Sequence, residues 1–408
     1  MGRLRDIELN VFLYNRQSRR RSWTRKIVWC LLTYTCLLAI FTRVCFPDFS
    51  LLRLELLPLI VHGSPPALFY AFSKTFQTFK KPKGIEIVAL VPFHHPRRTE
   101  ILDCYLQKNL AANGGFLDRI VWIPQSNDTG SLEWLASSAR QTSTYTISGT
   151  TDSPFNIIAE SQDALLVWID GDVVFIEDHT IPTLVKTKLD HPNSAVVSAN
   201  VVNQAALEHI HIHSHPPIAL PYLPELQPVE RINRNNWRVS ALPHWKGLAE
   251  FQVHRGFSPP SRNHRWLLSD GKKFKNTPIG TSVYSEDGPG MQDWTVKAQQ
   301  HYSFLHHLEL DELSLYKFPI WINPTKSIST AFFSFKASDA MIAEALLQGI
   351  DESTGTSKGG HERKDIMIDG KGLVAHYSSD NSLEGLNDTD LLQKYLSYTR
   401  EMVCPRLT

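Results

Sequence analysis

Residues 164–175 have the sequence ALLVWIDGDVVF, and this stretch carries the strongest structural signal of the chain. Its first six residues are apolar and uncharged, which is typical of a β-strand that is buried on both faces. Asp170, Gly171 and Asp172 follow directly. The strand is therefore predicted to end in a turn that carries two carboxylates.

The segments on both sides of this strand alternate between strand and helix patterns. Strands are predicted at residues 85–93, 119–124, 144–147 and 195–202, and helices at residues 99–113, 131–140 and 181–189. This alternation predicts an α/β fold with a mostly parallel sheet flanked by helices. Ligands of such sheets bind beyond the carboxyl ends of the strands, which is where Asp170 and Asp172 are expected.

The alternation stops after the first half of the body. Residues 203–290 are rich in Pro, His, Asn, Gly and Trp, and an irregular stretch of this length is typical of a functional or mobile region. A helix is predicted again at residues 291–308, and the polar residues 351–363 are expected to form a flexible loop. We therefore divide the body, residues 84–408, into halves at residues 84–202 and 203–408.

Composition and charge narrow the class of protein. The 408 residues are 42% hydrophobic and 20% charged, which excludes a disordered chain. The formal net charge of +1 argues against a nucleic-acid partner. The charge is unevenly distributed, because residues 1–26 hold eight basic and two acidic side chains. A basic tail thus precedes a mildly acidic body.

An apolar stretch after the basic tail predicts a membrane anchor. Residues 27–46 are uncharged apart from Arg43 near one end, and about 20 predominantly apolar residues span a bilayer as a helix. The basic tail is expected to stay in the cytosol. We predict a signal-anchor at residues 27–46, a stem at residues 47–83 and a lumenal body. A cleaved signal peptide and a buried core helix are the alternatives.

This arrangement is that of a single-pass type II protein. The shortness of the apolar stretch favours the thinner membranes of the Golgi or the endoplasmic reticulum. Asn127 and Asn387 begin acceptor sequons for N-glycosylation, in agreement with a lumenal body. The body has two cysteines, Cys104 and Cys404, which either form a disulfide or remain as two buried thiols.

The two aspartates at the end of the buried strand predict a divalent metal site. Two neighbouring carboxylates repel each other without a counter-charge, and a turn at Gly171 lets both face one cation. Mn²⁺ or Mg²⁺ bound by one or two carboxylates keeps coordination positions for phosphate oxygens. Asp170 and Asp172 are thus predicted to bind a metal–diphosphate, and the alternative is a strand-ending turn with two solvated carboxylates.

At these residues the chain resembles the GT-A fold glycosyltransferases that use nucleotide-sugars, in particular the type II, Golgi-resident kind. In its overall sequence character it resembles the fungal enzymes that build glycans. The resemblance covers residues 84–202 well and the C-terminal part loosely. It implies that the first half binds a nucleotide-sugar donor with Mn²⁺ (or Mg²⁺), and that the second half binds a glycan or glycoprotein acceptor. Asp170-Gly171-Asp172 resembles the DxD motif of the family. Asp172 would then bind the metal directly, and Asp170 would contact the metal or the ribose.

Other residues of the first half take implied roles from the same resemblance. Residues 85–97 resemble the first strand and loop of the family, so Pro92, Phe93 and Arg97 would contact the nucleotide. The acidic pair that many members carry after the second strand is missing. Asp128 is its nearest substitute.

In the second half, residues 289–294 (PGMQDW) resemble the segment that holds the acceptor-side base of inverting members. Asp293 would be this catalytic base, although Gln292 replaces the usual Glu, and Asp287 and Glu286 are reserves. A helix-stabilising charge is the alternative role for Asp293. His376 resembles the C-terminal histidine that completes the metal site in many members, and a structural histidine is the alternative.

The function predicted from the sequence is a metal-dependent glycosyltransferase of the secretory pathway, with inversion and retention both open. One alternative is a non-catalytic GT-A-like subunit of a glycan-building complex. Another is a metal-dependent hydrolase that uses the alternating histidines His209, His211, His213 and His215. On a strand these would share one face, but at about 6.6 Å spacing they would not enclose one tetrahedral ion. A groove wall for the acceptor and a plain exposed strand are the other interpretations of this cluster.

Overall fold

The computed structural model describes residues 33–34, 79–149, 163–203, 218–226, 236–248, 250–253, 257–259, 261–270, 276–281, 293–324, 328–349, 364–377 and 384–404. The chain divides into two units, residues 1–67 and 68–408, and only Thr33 and Tyr34 of the first are described. The predicted signal-anchor and most of the predicted stem therefore lie outside the described residues. Within the described ranges, no helix has the length and apolar character needed to cross a membrane.

The described strands build one large sheet and one small one. The strands are β1 (Ile87–Phe93), β2 (Arg119–Pro124), β3 (Tyr145–Ile147), β4 (Leu165–Ile169), β5 (Val173–Ile176), β6 (Ser194–Val202), β7 (Tyr222–Pro224), β8 (Trp266–Leu268), β9 (Trp321–Ile322), β10 (Phe332–Lys336) and β11 (Asp365–His376). The large sheet has the order β3-β2-β1-β4-β10-β6-β11-β5, and β9 pairs with β11. Strands β7 and β8 form a separate antiparallel pair.

The large sheet is mixed. Strands β3, β2, β1 and β4 are mutually parallel, as the alternation of elements predicts. Strand β10 is antiparallel to both β4 and β6, while β11 is parallel to β6 and antiparallel to β5 and β9. The predicted α/β sheet flanked by helices is confirmed, and its continuous parallel part consists of β3, β2, β1 and β4. The antiparallel strands are an addition that the sequence does not predict.

Helices pack on both faces of this sheet. They are α1 (Pro96–Asn109), α2 (Thr129–Ala139), α3 (Thr180–Asp190), α4 (Pro278–Thr281), α5 (Trp294–Glu309), α6 (Ala340–Leu347), α7 (Glu384–Asn387) and α8 (Leu391–Met402). Pro96 occupies the first turn of α1, where its missing N–H costs no hydrogen bond. The predicted helix at residues 99–113 thus starts and ends about one turn earlier, because the chain bends after Asn109.

The continuous apolar pattern of β1 reflects two hydrophobic layers. Ile87, Ala89 and Val91 face the layer that contains α1, α3, α5 and α8, whereas Val88 and Leu90 face the layer that contains α6. All five side chains are completely buried. Each large aliphatic side chain buried in this way contributes roughly 1.5–3 kcal/mol to folding. The sheet is therefore a rigid platform for the residues that follow its strands.

A disulfide joins the two ends of the described body. Cys104 of α1 bonds to Cys404, which follows α8, and their Cα atoms are 4.7 Å apart. The two cysteines are separated by 300 positions in sequence. Of the two possibilities that the sequence leaves open, the disulfide is the one the fold forms.

Candidate metal centre

The sheet topology brings Asp170 and His376 to the same edge. Strand β10 is antiparallel to β4 and to β6, and β11 is parallel to β6, so β4 and β11 run in the same direction. Asp170 follows the last residue of β4, and His376 is the last residue of β11. The carboxyl ends of both strands therefore place their polar side chains at one edge of the sheet.

The turn at residues 170–172 is held at both ends. The Asp170 N–H donates to the carbonyl of Ala331 at 2.8 Å, and Asp170 Oδ1 accepts the Asp172 N–H at 2.8 Å. The Asp172 carbonyl accepts the N–H of Tyr377 at 2.9 Å. The chain then enters β5, where Val173 is the partner of His376. These bonds fix the turn against the end of β11, so that Asp172 lies beside His376.

Gly171 is required by a close approach to β1. A Cβ atom at this position would lie 2.2 Å from the Pro92 carbonyl oxygen and 3.1 Å from Cδ2 of His94. The first distance is impossible for a real Cβ atom, so glycine lets the turn pack directly against the end of β1. Packing therefore requires glycine at position 171, between the two aspartates that are predicted to bind the metal.

Asp170, Asp172 and His376 form a cluster with ligand atoms within 4.8 Å of one another. His376 Nε2 lies 3.5 Å from Asp170 Oδ1. The side chains of Asp172 and His376 are 1% and 7% exposed, whereas that of Asp170 is 21% exposed. Two carboxylates and one imidazole form a donor set that suits Mn²⁺, and the partial exposure of Asp170 leaves one side of the cluster open.

Several atoms of this cluster are buried without hydrogen bonds. Neither carboxylate oxygen of Asp172, nor Nε2 of His376, makes a hydrogen bond with the residues that the structure describes. A buried polar atom that lacks a hydrogen bond costs about 1–3 kcal/mol, and more when it is charged. A divalent cation coordinated by these atoms would remove this cost. The residues present therefore fit the metal that the sequence predicts.

Arg98 is a member of this site that the sequence analysis does not identify. Its Nη1 lies 2.6 Å from Asp172 Oδ2, although no N–H bond is aligned for a hydrogen bond. Its guanidinium carbon lies 5.2 Å from the ring centre of Tyr377. The only available signal is its place in the first turn of the helix after β1, at the same edge of the sheet as Asp172.

Two pKa shifts describe the electrostatics of this edge. Burial raises the pKa of Asp170, but the adjacent imidazole of His376, the Asp172 N–H and the nearby His94 together outweigh burial and lower this pKa below its ordinary value. Burial and the charges of Arg98 and Arg97 lower the pKa of His95. Neutral His95 caps α1, since its Nδ1 accepts the N–H of Arg97 at 3.2 Å. The edge therefore favours ionised Asp170 and neutral His95.

The residues predicted to contact the nucleotide occupy different environments. Pro92 and Phe93 are buried at the end of β1, and the Phe93 ring stacks on Trp134 at 6.1 Å. Arg97 is exposed in the first turn of α1. Asp128 is exposed and caps α2 by accepting the N–H of Ser131 at 2.8 Å. The hydroxyl and the N–H of Ser131 lower the pKa of Asp128. Their contact with a nucleotide stays a prediction.

The predicted base Asp293 is the N-cap of α5. Its Oδ1 accepts the N–H of Thr295 at 2.9 Å and the Thr295 hydroxyl at 2.8 Å. This is the helix-stabilising arrangement that the sequence leaves as the alternative, and a catalytic role stays a prediction. Asp287, Glu286 and Gln292 lie outside the described residues. The same holds for the histidine cluster at residues 209–215 and for the predicted loop at residues 351–363.

Comparison with known proteins gives partial structural similarities. The sequence matches no known family and no curated protein. A similar solved structure is CMP:2-keto-3-deoxy-manno-octonic acid synthetase complexed with CTP, with 11% identity over 30% of this chain and 56% of that chain, at a TM-score of 0.23.

Glucosyl-3-phosphoglycerate synthase from Mycobacterium tuberculosis is also similar. Its complex with phosphoglyceric acid has 16% identity over 31% of this chain and 47% of that chain, at a TM-score of 0.24. Its complex with Mn²⁺, UDP-glucose and phosphoglyceric acid has 15% identity over 31% of this chain and 51% of that chain, also at 0.24. The match spans about half the length of each of these proteins.

Proposed function

We propose that this chain is a metal-dependent glycosyltransferase that moves a sugar from a nucleotide-sugar donor to a glycan or glycoprotein acceptor. The observation that carries the proposal is the cluster of Asp170, Asp172 and His376 at the carboxyl edge of the sheet, with buried ligand atoms that lack hydrogen bonds. Ligands of α/β sheets bind at this edge. The buried donor set together with an open side suits a divalent ion that also contacts a diphosphate.

Some residues of the site would bind the metal, and others keep these ligands in position. Asp172 and His376 are the buried ligands, and Asp170 is the ligand on the open side. When bound, Mn²⁺ or Mg²⁺ neutralises negative charge on a departing nucleoside diphosphate. The pairing of Val173 with His376 and the Tyr377–Asp172 hydrogen bond keep the three ligands together before substrate arrives. Such preorganisation is what electrostatic catalysis requires.

Asp293 is the proposed base in an inverting reaction. It would take the proton of the acceptor hydroxyl as the oxygen attacks the anomeric carbon of the donor sugar. Its position at the start of α5 is compatible with a partly exposed carboxylate. The neutral variant Asp293→Asn keeps an N-cap side chain, so a loss of turnover with unchanged melting temperature would support the catalytic role.

The central test is donor binding that depends on both Mn²⁺ and Asp172. The full chain is melted with UDP-, GDP- and CMP-sugars, with and without Mn²⁺. One donor is expected to stabilise the wild type only with Mn²⁺, by about 2.7 kcal/mol at 100 times its Kd. Asp172→Asn should abolish this effect and the release of nucleotide from the donor. Asp190→Asn, in an exposed ion pair of α3, is the control with the same charge change.

Two outcomes would contradict the proposal in different ways. Mn²⁺-dependent donor binding without transfer or hydrolysis would favour a non-catalytic subunit of a glycan-building complex. No stabilisation by any donor, together with zinc that is lost on His211→Ala, would favour the hydrolase that uses the histidine cluster.

We further propose that the body is lumenal, behind a signal-anchor at residues 27–46 in a Golgi or endoplasmic reticulum membrane. The Cys104–Cys404 disulfide supports an oxidising compartment. Asn127 supports it too, because all three sequon residues are exposed, Asn127 directly before the N-cap of α2 and Thr129 at its first position. Endoglycosidase treatment should shift the wild-type protein, and Asn127→Gln should lose this glycan. An unshifted wild type found in the soluble fraction would refute the lumenal location.

A further inference from the structure

Arg98 forms an ion pair with Asp172, the carboxylate that is proposed to bind the metal. The Asp172 side chain is 1% exposed, and Arg98 Nη1 lies 2.6 Å from its Oδ2. A buried carboxylate without a compensating cation is strongly destabilising, so Arg98 supplies that compensation when no metal is bound. The guanidinium and a divalent ion are both cations that approach the same carboxylate. Their binding to Asp172 is therefore competitive.

The same arginine is placed to contact an anion at the edge of the sheet. Arg98 lies in the first turn of α1, which has no acidic residue in that turn. A positive charge at a helix N-terminus is unfavourable for the helix itself, so this charge does not serve to stabilise α1. A guanidinium forms paired hydrogen bonds with phosphate oxygens, which a diphosphate beside the metal would offer.

The contacts of Arg98 allow it to change partners. Its side chain is 18% exposed, so part of the side chain borders solvent while Nη1 of the guanidinium touches Asp172. Its Nη2 donates to Asn387 Oδ1 across a long distance of 3.4 Å. The contact with Asp172 is close but lacks an aligned hydrogen bond. A phosphate that forms aligned hydrogen bonds with the Arg98 guanidinium can therefore replace Asp172 as its partner.

We propose that Arg98 couples the binding of the divalent ion to the binding of the diphosphate. In the metal-free protein Arg98 neutralises Asp172, and when both ligands bind it releases Asp172 to the metal and contacts the diphosphate. Each ligand weakens the Arg98–Asp172 pair and thereby raises the affinity for the other by the same factor. The inference rests on the proposed function, because it assigns Arg98 to the same donor site.

The first experiment measures Mn²⁺ binding to the full chain by calorimetry, alone and with saturating UDP or GDP. Without nucleotide, Arg98→Gln should bind Mn²⁺ about tenfold more tightly than the wild type, because the competing cation is gone. The factor by which the nucleotide raises Mn²⁺ affinity should fall by about tenfold in the same variant. Arg98→Lys should lie closer to the wild type. Lys186→Gln, which removes a charge from an exposed ion pair of α3, should bind as the wild type does.

A second measurement keeps Arg98 in place and so does not depend on the stability of its variants. In the absence of metal, Asp172→Asn removes the charge that Arg98 neutralises, and affinity for UDP or GDP should rise severalfold. Asp170→Asn removes the same charge from the cluster but leaves the Arg98–Asp172 ion pair in place, so its effect on nucleotide affinity should be clearly smaller.

The outcomes separate this inference from the proposed function. If the wild type binds Mn²⁺ through Asp172 but Arg98→Gln has unchanged or weaker Mn²⁺ affinity, the coupling role of Arg98 is refuted and the metal site stands. Equal nucleotide affinities of Asp170→Asn and Asp172→Asn would also refute it. If the wild type binds no Mn²⁺ with or without nucleotide, both proposals fail.

Discussion

Gly171 shows how a single residue sets the geometry of the site. The turn packs so closely on β1 that a Cβ atom would lie 2.2 Å from the Pro92 carbonyl oxygen. We expect Gly171→Ala to lower the free energy of unfolding by about 1–3 kcal/mol, since the turn must move away from β1. The same movement separates Asp170 and Asp172 from His376, so calorimetry should show weaker Mn²⁺ binding.

Gly130 provides a matched control for this prediction. A Cβ atom there would meet only the Asp128 carboxylate at 3.7 Å, which is an ordinary contact. Gly130→Ala should leave Mn²⁺ binding unchanged and keep or raise stability, because alanine favours the helix. If both variants behave alike, close packing of the turn is not what fixes the site.

Residues of the site differ in how far the sequence predicts them. Asp170 and Asp172 follow an unmistakable buried strand, and the resemblance to a family adds His376. Arg98 was not found, because its partner Asp172 lies 74 positions later and their meeting depends on the turn crossing to β5. The path of the turn from β4 to β5 cannot be predicted from the local hydrophobic pattern or from the spacing of charged residues.

Among the elements, buried parallel strands were the most predictable. The predicted bounds of residues 119–124 agree with β2 at both ends. Strand β11 was missed because Asp369, Gly370, Lys371 and Gly372 interrupt its apolar pattern and resemble a loop. In the fold, Asp369 is buried and accepts the Thr187 hydroxyl at 2.6 Å, so a hydrogen bond from α3 offsets part of the cost of burying its carboxylate. Tertiary contacts of this kind are invisible in a single sequence.

The packing of α5 against α8 predicts a pH dependence of stability. His301 of α5 is completely buried, its Nδ1 lies 2.8 Å from the Tyr395 hydroxyl, and burial lowers its pKa to about 3. In the unfolded chain its pKa is about 6.5. Between these values the unfolded state binds more protons, so stability is lost as the pH falls from about 6.5 toward 3.

This dependence can be measured by urea unfolding at pH 7 and pH 5. His301 should contribute a loss of about 2 kcal/mol between these values, which His301→Gln should remove. His244→Gln, at a side chain that is 56% exposed, should leave the difference unchanged. An equal pH dependence in wild type and His301→Gln would show that His301 does not remain neutral in the fold.

At the scale of the whole molecule, one disulfide covalently restrains the part of the chain that the structure describes. It closes a loop of 300 positions and fixes α1 to the C-terminal end of the described body. Replacing both Cys104 and Cys404 by Ser should lower the free energy of unfolding by about 2–5 kcal/mol, because the unfolded chain gains conformational freedom.

Reduction of the wild type supplies the control for this prediction. The reductant should lower the melting temperature of the wild type to that of the double variant, and it should not change the variant itself. A melting temperature that does not respond to reductant would mean that the two thiols are not bonded in solution.

The insertion of β11 between β6 and β5 has a consequence for biosynthesis. During translation, Asp170 and Asp172 are made long before His376. The strand position between β6 and β5 therefore stays unfilled in the growing chain until β11 has been made. The proposed ligand triad is complete only once His376 has been made, and the bridge from Cys104 only once Cys404 has been made. A chain that is terminated before His376 therefore lacks both the third proposed metal ligand and the disulfide.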